Sequence, residues 1–248
     1  GALQPPTTLD ATDPLSPADT LLFQSKVGTA LHYARMIDLT TLPAVNDLSM
    51  VQSKATMQSN KHMIDLLDYL HTHPNASIMC RASDMIIKVH SDGSYLSVPG
   101  AKSRAAGHFY CGNNIHALQH EPSQGSMCQE CSIIKPVVAS AAECETATLF
   151  INCQTTIILR ITAKEMGHPQ PATPIQVDNT TTCNYVHNNM QQKRSKAFDM
   201  RLHWLRDRIN QQQFETYWME GQCNYADYYS KHHNAAHHQK MRSKYLVS

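Results

Sequence analysis

Apolar and polar positions divide the chain into a helical stretch followed by a strand-rich one. Residues 1–15, rich in Pro, Thr and Asp, show no period and read as an extended arm. Ser16-Pro17-Ala18-Asp19 has the form of a helix cap with Pro at the first helical position. The pattern predicts a helix from there through Leu21, Leu22, Val27 and Leu31, another over 42–58, and a third over 60–71. Pro74-Asn75 closes this section, so 16–80 reads as a small helical module.

From about residue 84 the period changes. Met85-Ile86-Ile87-Lys88-Val89-His90-Ser91-Asp92 is an apolar, β-branched run bounded by Ser and Gly, the signature of a central strand. Further strands are predicted over 105–111 and 133–138, with a loop over 112–130, which suggests an antiparallel meander. Ser140-Ala141-Ala142-Glu143 matches a capping box and opens a helix to about Met166. Inside it Thr155–Thr162 carries strand propensity, a conflict resolved here in favour of the helix. Pro174–Asp178 and Gln213–Trp218 read as two more strands, with helices at about 181–189 and 196–210 and a last one opening at Asn224. The expected class is α/β (an α+β mixed sheet): five strands with flanking helices over 84–248, preceded by the helical module.

The chain has 248 residues and a formal net charge of +1, so it is neither a polybasic tail nor an acidic solvating protein. No apolar run approaches the ~20 residues of a membrane span, and the N-terminus lacks the shape of a signal peptide. The expectation is a soluble, intracellular protein (cytoplasm or nucleus) with no membrane partner. Eight cysteines at irregular spacings inside apolar segments read as reduced, packed thiols.

The candidate chemistry lies in acids at element ends. Two predicted strands end in Asp92 and Asp178, and two helices begin near Glu143/Glu145 and Asp227. A carboxylate leaving a buried strand is costly unless compensated, and a divalent cation compensates several at once. Four converging acids suit two-metal phosphodiester hydrolysis, with ions ~3.5–4 Å apart, and oxygen ligands select Mg²⁺, with Mn²⁺ as a substitute. Taken singly, each acid has an ordinary reading as a cap or surface charge.

A resemblance adds to this. Leu22–Gly28 and Ala44–Ser49 are similar to the tail of copia-type LTR retrotransposon reverse transcriptases, and the module from 84 onward resembles their ribonuclease H domain. The matching motifs are Ser91-Asp92-Gly93-Ser94-Tyr95, Ser103/Arg104 with Gly107, Ser140–Glu145, Asp178-Asn179-Thr180, Ser195–Arg201 and Ala226–Lys231, in the family's order. The resemblance implies a ribonuclease H-like fold and an endonuclease cutting the RNA strand of RNA–DNA hybrids. It places the catalytic and metal-binding acids on Asp92, Asp178, Asp227 and one glutamate of the Glu143/Glu145 pair. Those two lie ~200° apart on a helix. Glu143 is the natural partner of Ser140 in the cap, which leaves Glu145 for the metal, with Glu143 as the alternative.

Two departures qualify the match. The loop Met219–Cys223 holds no histidine, which other ribonucleases H place before the last aspartate. The chain also has no Tyr-x-Asp-Asp motif, so the expectation is a C-terminal part of a polyprotein, or a decayed or repurposed copy. The partners implied are a hybrid duplex and the upstream polymerase region or other chains of a larger assembly. The competing reading is a non-catalytic scaffold or binding subunit.

Lys193, Arg194, Lys196, Arg201 and Arg206 are candidates for phosphate contact, against the plain alternative of a solvated helix face. Ser94, Asn179 and Thr180 lie beside the acids and are candidates for sensing the 2′-OH. His116 and His120 with Cys128 and Cys131 have zinc-ligand types, but a polar hairpin insertion explains them better. Trp204 and Trp218 read as core.

Overall fold

A computed structural model describes residues 12–114, 125–187 and 196–247, with 196–199 described by backbone alone. The chain forms two compact units, one of residues 1–79 with 232–248 and one of residues 80–231. The sequence pattern carries the second module to 248. The chain instead assigns its last segment to the helical unit.

The helical unit holds α1 (Pro17–Met36), α2 (Leu42–Val51), α3 (Met57–Thr72) and the C-terminal α8 (Ala235–Tyr245). Ser16 caps α1 by accepting from the Asp19 N–H at 3.1 Å, with Pro17 in the first turn. The helix expected over 42–58 ends at Val51, because Thr56 and Ser59 form a capping box that starts α3. Phe23, Val27, Leu39, Leu42, Val45 and Met63 are buried in this unit. Arg242 of α8 pairs with the fully buried Asp38, which also accepts from the Thr40 N–H. Removing either partner would strand a buried charge.

The second unit is built on a five-stranded sheet of order β3-β2-β1-β4-β5. Its strands are β1 (Ile86–Val98), β2 (Lys102–Gly112), β3 (Ser126–Ile133), β4 (Thr173–Val177) and β5 (Phe214–Trp218). β1, β2 and β3 are antiparallel neighbours, while β4 pairs parallel with β1 and β5 parallel with β4. The helices are α4 (Ala141–Glu165), α5 (Thr180–Val186), α6 (Lys196–Asn210) and the single turn α7 (Asp227–Ser230). This is the mixed sheet with flanking helices that the pattern predicts.

Three elements differ from expectation. The third strand is 126–133, beginning inside the expected loop, rather than 133–138. Ser126–Ile133 is a polar, half-buried edge with little apolar alternation, so its strand signal is weak. Ile134–Val138 is an irregular connection: Pro136 has no N–H to give a ladder, and Val137 is 94% exposed. β1 also runs past Asp92 as far as Val98, and the helix expected from Asn224 is only one turn before Asn234 caps α8.

Within α4 several threonines return their hydroxyls to the helix backbone. Thr148, Thr156 and Thr162 each donate to the carbonyl four residues back, at 2.7–3.0 Å. The core lies between this helix, α5, α6 and one sheet face: Ile87, Val89, Phe109, Leu149, Ile175, Val177, Leu205 and Phe214. Asn152 fixes α4 over the sheet, its Nδ2 donating to Ser91 Oγ and the Ala106 carbonyl at 2.9 Å each. Gly93 and Gly107 permit the approach: a Cβ would stand 2.7 Å from Thr148 Oγ1 at one and 2.3 Å from Asn152 Oδ1 at the other. All eight cysteines are free.

Candidate metal centre

The parallel register between β1 and β4 ends at Ser91 opposite Val177. Asp92 is the next residue of β1, and Asp178 immediately follows the end of β4. Side chains alternate along a strand, so Asp92 points away from Ser91 and the α4 side. Asp227 begins α7. Asp92, Asp178 and Asp227 each offer a carboxylate oxygen within 4.8 Å of the others.

Three hydrogen bonds hold the last acid in place. Asn224 Nδ2 donates to the Ser91 carbonyl at 2.9 Å, while its Oδ1 accepts from the Ala226 N–H at 2.9 Å. The Tyr225 N–H donates to His90 Nδ1 at 3.0 Å. The turn before Asp227 is thereby pinned to the strand segment that carries Asp92.

The two glutamates of α4 separate in role. Glu143 Oε2 accepts from the Ala139 N–H at 2.7 Å, and its own N–H donates to Ser140 Oγ at 3.2 Å, closing the helix start. Glu145 Oε2 accepts from the Gly93 N–H at 3.1 Å, next to Asp92. Burial raises the Glu145 carboxyl well above its usual range, followed by repulsion from Asp92 and Asp178. Burial, then Asp227 and Asp178, pushes Asp92 up to about 7. Burial and Asp227 raise Asp178 in the same direction. Asp92 Oδ2 is buried without a hydrogen-bond partner. An orphaned oxygen among crowded acids is what a hard divalent cation satisfies, so the donor set fits such an ion.

Among the described residues a cation stands beside the cluster. Lys231, one helical turn after Asp227, pairs with its Oδ1. Burial works against the Lys231 charge, but Asp92, Asp227 and Asp178 outweigh it and raise its pKa.

The remaining candidates divide. Asn179 Oδ1 caps α5 by accepting from the Thr182 N–H at 3.0 Å, with exposed Thr180 beside it. Ser94 is half-buried opposite Arg104 on β2. Arg201 is half-buried on α6. Arg206 donates through Nε and Nη2 to the Tyr185 carbonyl at 2.9 and 2.6 Å, an internal strut. Lys193 and Arg194, and the side chain of Lys196, lie outside the described residues, as do His116 and His120. Of the zinc-like set, Cys128 and Cys131 lie on β3, and Cys131 is buried with its thiol donating to the Tyr229 carbonyl at 3.3 Å. Trp204 packs edge-on to Phe150 beside the core. Trp218 is not core: it is 45% exposed, its indole N–H donating to the Asp178 carbonyl at 3.0 Å.

Lys231, Asn224 and His90 were not singled out from the sequence. The i, i+4 spacing of Asp227 and Lys231 was a legible signal for the first. Asn224 and His90 act through tertiary hydrogen bonds that no local pattern announces.

No protein-family model matches the chain, and no curated protein matches it. Among solved structures it is similar to the N-terminal ribonuclease H domain of a Mycobacterium tuberculosis protein, at 12% identity and TM-score 0.42, over 64% of this chain and 97% of that one. It is also similar to LC11-RNase H1 solved in complex with an RNA/DNA hybrid, at 8% identity and TM-score 0.40, over 57% and 91%. A third is the prototype foamy virus protease-reverse transcriptase, at 8% identity and TM-score 0.42, over 94% of this chain and 27% of that one. The strand order and mixed pairing define a ribonuclease H-like fold.

Proposed function

We propose that the chain is a retroelement-derived ribonuclease H, of the copia type its motifs resemble, that cuts the RNA strand of RNA–DNA hybrids by two-metal hydrolysis. The observation that carries this reading is the convergence of Asp92, Asp178 and Asp227 from two adjacent strand positions and a helix start. Asp92, Glu145, Asp178 and Asp227 would hold the ions. When bound, divalent ions supply an activated water and neutralise the leaving oxygen. The chain's own part is to fix the acids. Asn152 and Gly93 set α4, and hence Glu145, against β1, while Asn224 and His90 fix the turn before Asp227. Ser94, Thr180 and the basic residues around α6 are the proposed contacts to sugar and phosphate, with Asn179 shaping the loop.

A labelled RNA–DNA hybrid incubated with the protein and Mg²⁺ tests the proposal. Wild type should cleave the RNA strand and Asp92→Asn should not, with a loss of about a thousandfold or more, since several kcal/mol of charge stabilisation depend on the ligand set. Equal inertness of both proteins would favour a scaffold that keeps the fold without the chemistry. Cleavage of pure DNA duplex would reassign the substrate.

A further inference from the structure

We infer that Lys231 is a built-in competitor for the metal centre: its ammonium is the counter-charge of the carboxylate cluster in the ion-free protein, and an incoming divalent cation displaces it. This deepens the proposed function and rests on that centre's binding a cation. Lys231 pairs directly with Asp227 Oδ1, and its charge acts on Asp92, Glu145 and Asp178 as well. It therefore opposes the mutual repulsion of these acids at once. The Asp227 carboxylate it pairs with belongs to the triad that converges within 4.8 Å. A cation bound there and a lysine held there repel each other and compete for one carboxylate. The Lys231 side chain is 38% exposed and sits on a flexible four-carbon stem, so it can swing outward without unpacking the core.

Displacement has two consequences. Lys231 makes the cluster tolerable before metal arrives, and it weakens the apparent affinity for that metal. The arrangement differs from a surface salt bridge, whose loss changes little.

Calorimetric titration of the full chain with MgCl₂, on wild type, Lys231→Met and Lys231→Arg, reads the effect directly. Lys231→Met should bind Mg²⁺ about tenfold more tightly, as expected when one nearby positive charge is removed at a partly solvated site. Its ion-free melting temperature should fall, and Lys231→Arg should stay near wild type in both. A second measurement needs no variant. The acetylation rate of Lys231 in wild type, followed by peptide mass spectrometry, should rise several-fold on adding Mg²⁺, while lysines away from the cluster stay constant. If wild type binds Mg²⁺ but Lys231→Met binds it no better and Lys231 labelling is unchanged, displacement is wrong and the metal centre stands. If Lys231→Met does not fold, the labelling result alone decides. If wild type binds no divalent ion, the inference and the proposed function both fall.

Discussion

The two faces of the sheet are made of the same five strands, yet they do opposite work. On the α4 side β1 presents Ile87 and Val89, and β4 presents Ile175 and Val177, all buried in one apolar cluster. On the other side the intervening residues of the same strands are Lys88, His90, Asp92 and Gln176, also buried. Burial on the first face is favourable by about 1.5–3 kcal/mol per large side chain. Burial on the second is unfavourable unless every polar group is answered. Some answers are visible, such as Tyr225 N–H to His90 and Tyr229 OH with His108. Burial holds the His108 imidazole neutral by lowering its pKa to about 3. Asp92 Oδ2 and Gln176 Nε2 have no such answer among the described residues. The contrast teaches that one face secures the fold, and the other spends part of that security on a strained cluster of charge.

Substitutions on the two faces should separate stability from ion binding. Leu149→Ala, on the apolar side, should lower unfolding free energy by about 2–5 kcal/mol and leave the Mg²⁺ affinity of the folded protein near wild type. Denaturant titration together with calorimetry checks both halves. Asn224→Ala should do the reverse, weakening Mg²⁺ affinity or hybrid cleavage by about 10–100-fold through a misplaced Asp227. Asn224→Asp keeps the Ala226 N–H contact but loses the donor to the Ser91 carbonyl, so it should rescue poorly.

The smallest effect is one of pH. Asp92, Glu145 and Asp178 all have folded-state pKa values raised above their ordinary ones. Groups shifted this way hold their protons more tightly when folded. Their contribution to stability is complete below the unfolded carboxylate range and is lost as pH rises through about 7, the Asp92 value. The ion-free protein should therefore melt at progressively lower temperature from about pH 5 to about pH 8. Saturating Mg²⁺ should flatten that slope, and Asp92→Asn should flatten it without metal. A slope identical in wild type and Asp92→Asn would show that the acids are not in repulsive contact.

The apolar face was largely legible in the sequence, because β-branched runs such as Ile86–Val89 and Pro174–Val177 are bounded by turn residues. The helix from Ser140 was legible through its cap, even against the strand propensity of Thr155–Thr162. The acids at Asp92 and Asp178 stood out because charge at the exit of a buried run is unusual. What stayed hidden depends on the fold itself. β3 has edge-strand polarity, and its pairing with β2 supplies what local pattern does not. Trp218 looks like core by composition, but it lies on the outer strand beside Asp178. Arg206 belongs to a basic run, but the Tyr185 carbonyl claims it. The C-terminal helix α8 follows Asp227 closely in sequence, and only long-range contacts assign it to the helical unit.

The three converging aspartates come from distant points along the polypeptide, and the last follows all five strands. A chain still being synthesised, or clipped ahead of Asn224, can complete most of the sheet and still lack the residue that closes the cluster. Competence to hold a divalent ion should thus appear late and abruptly, as a signal that assembly of the sheet unit is finished.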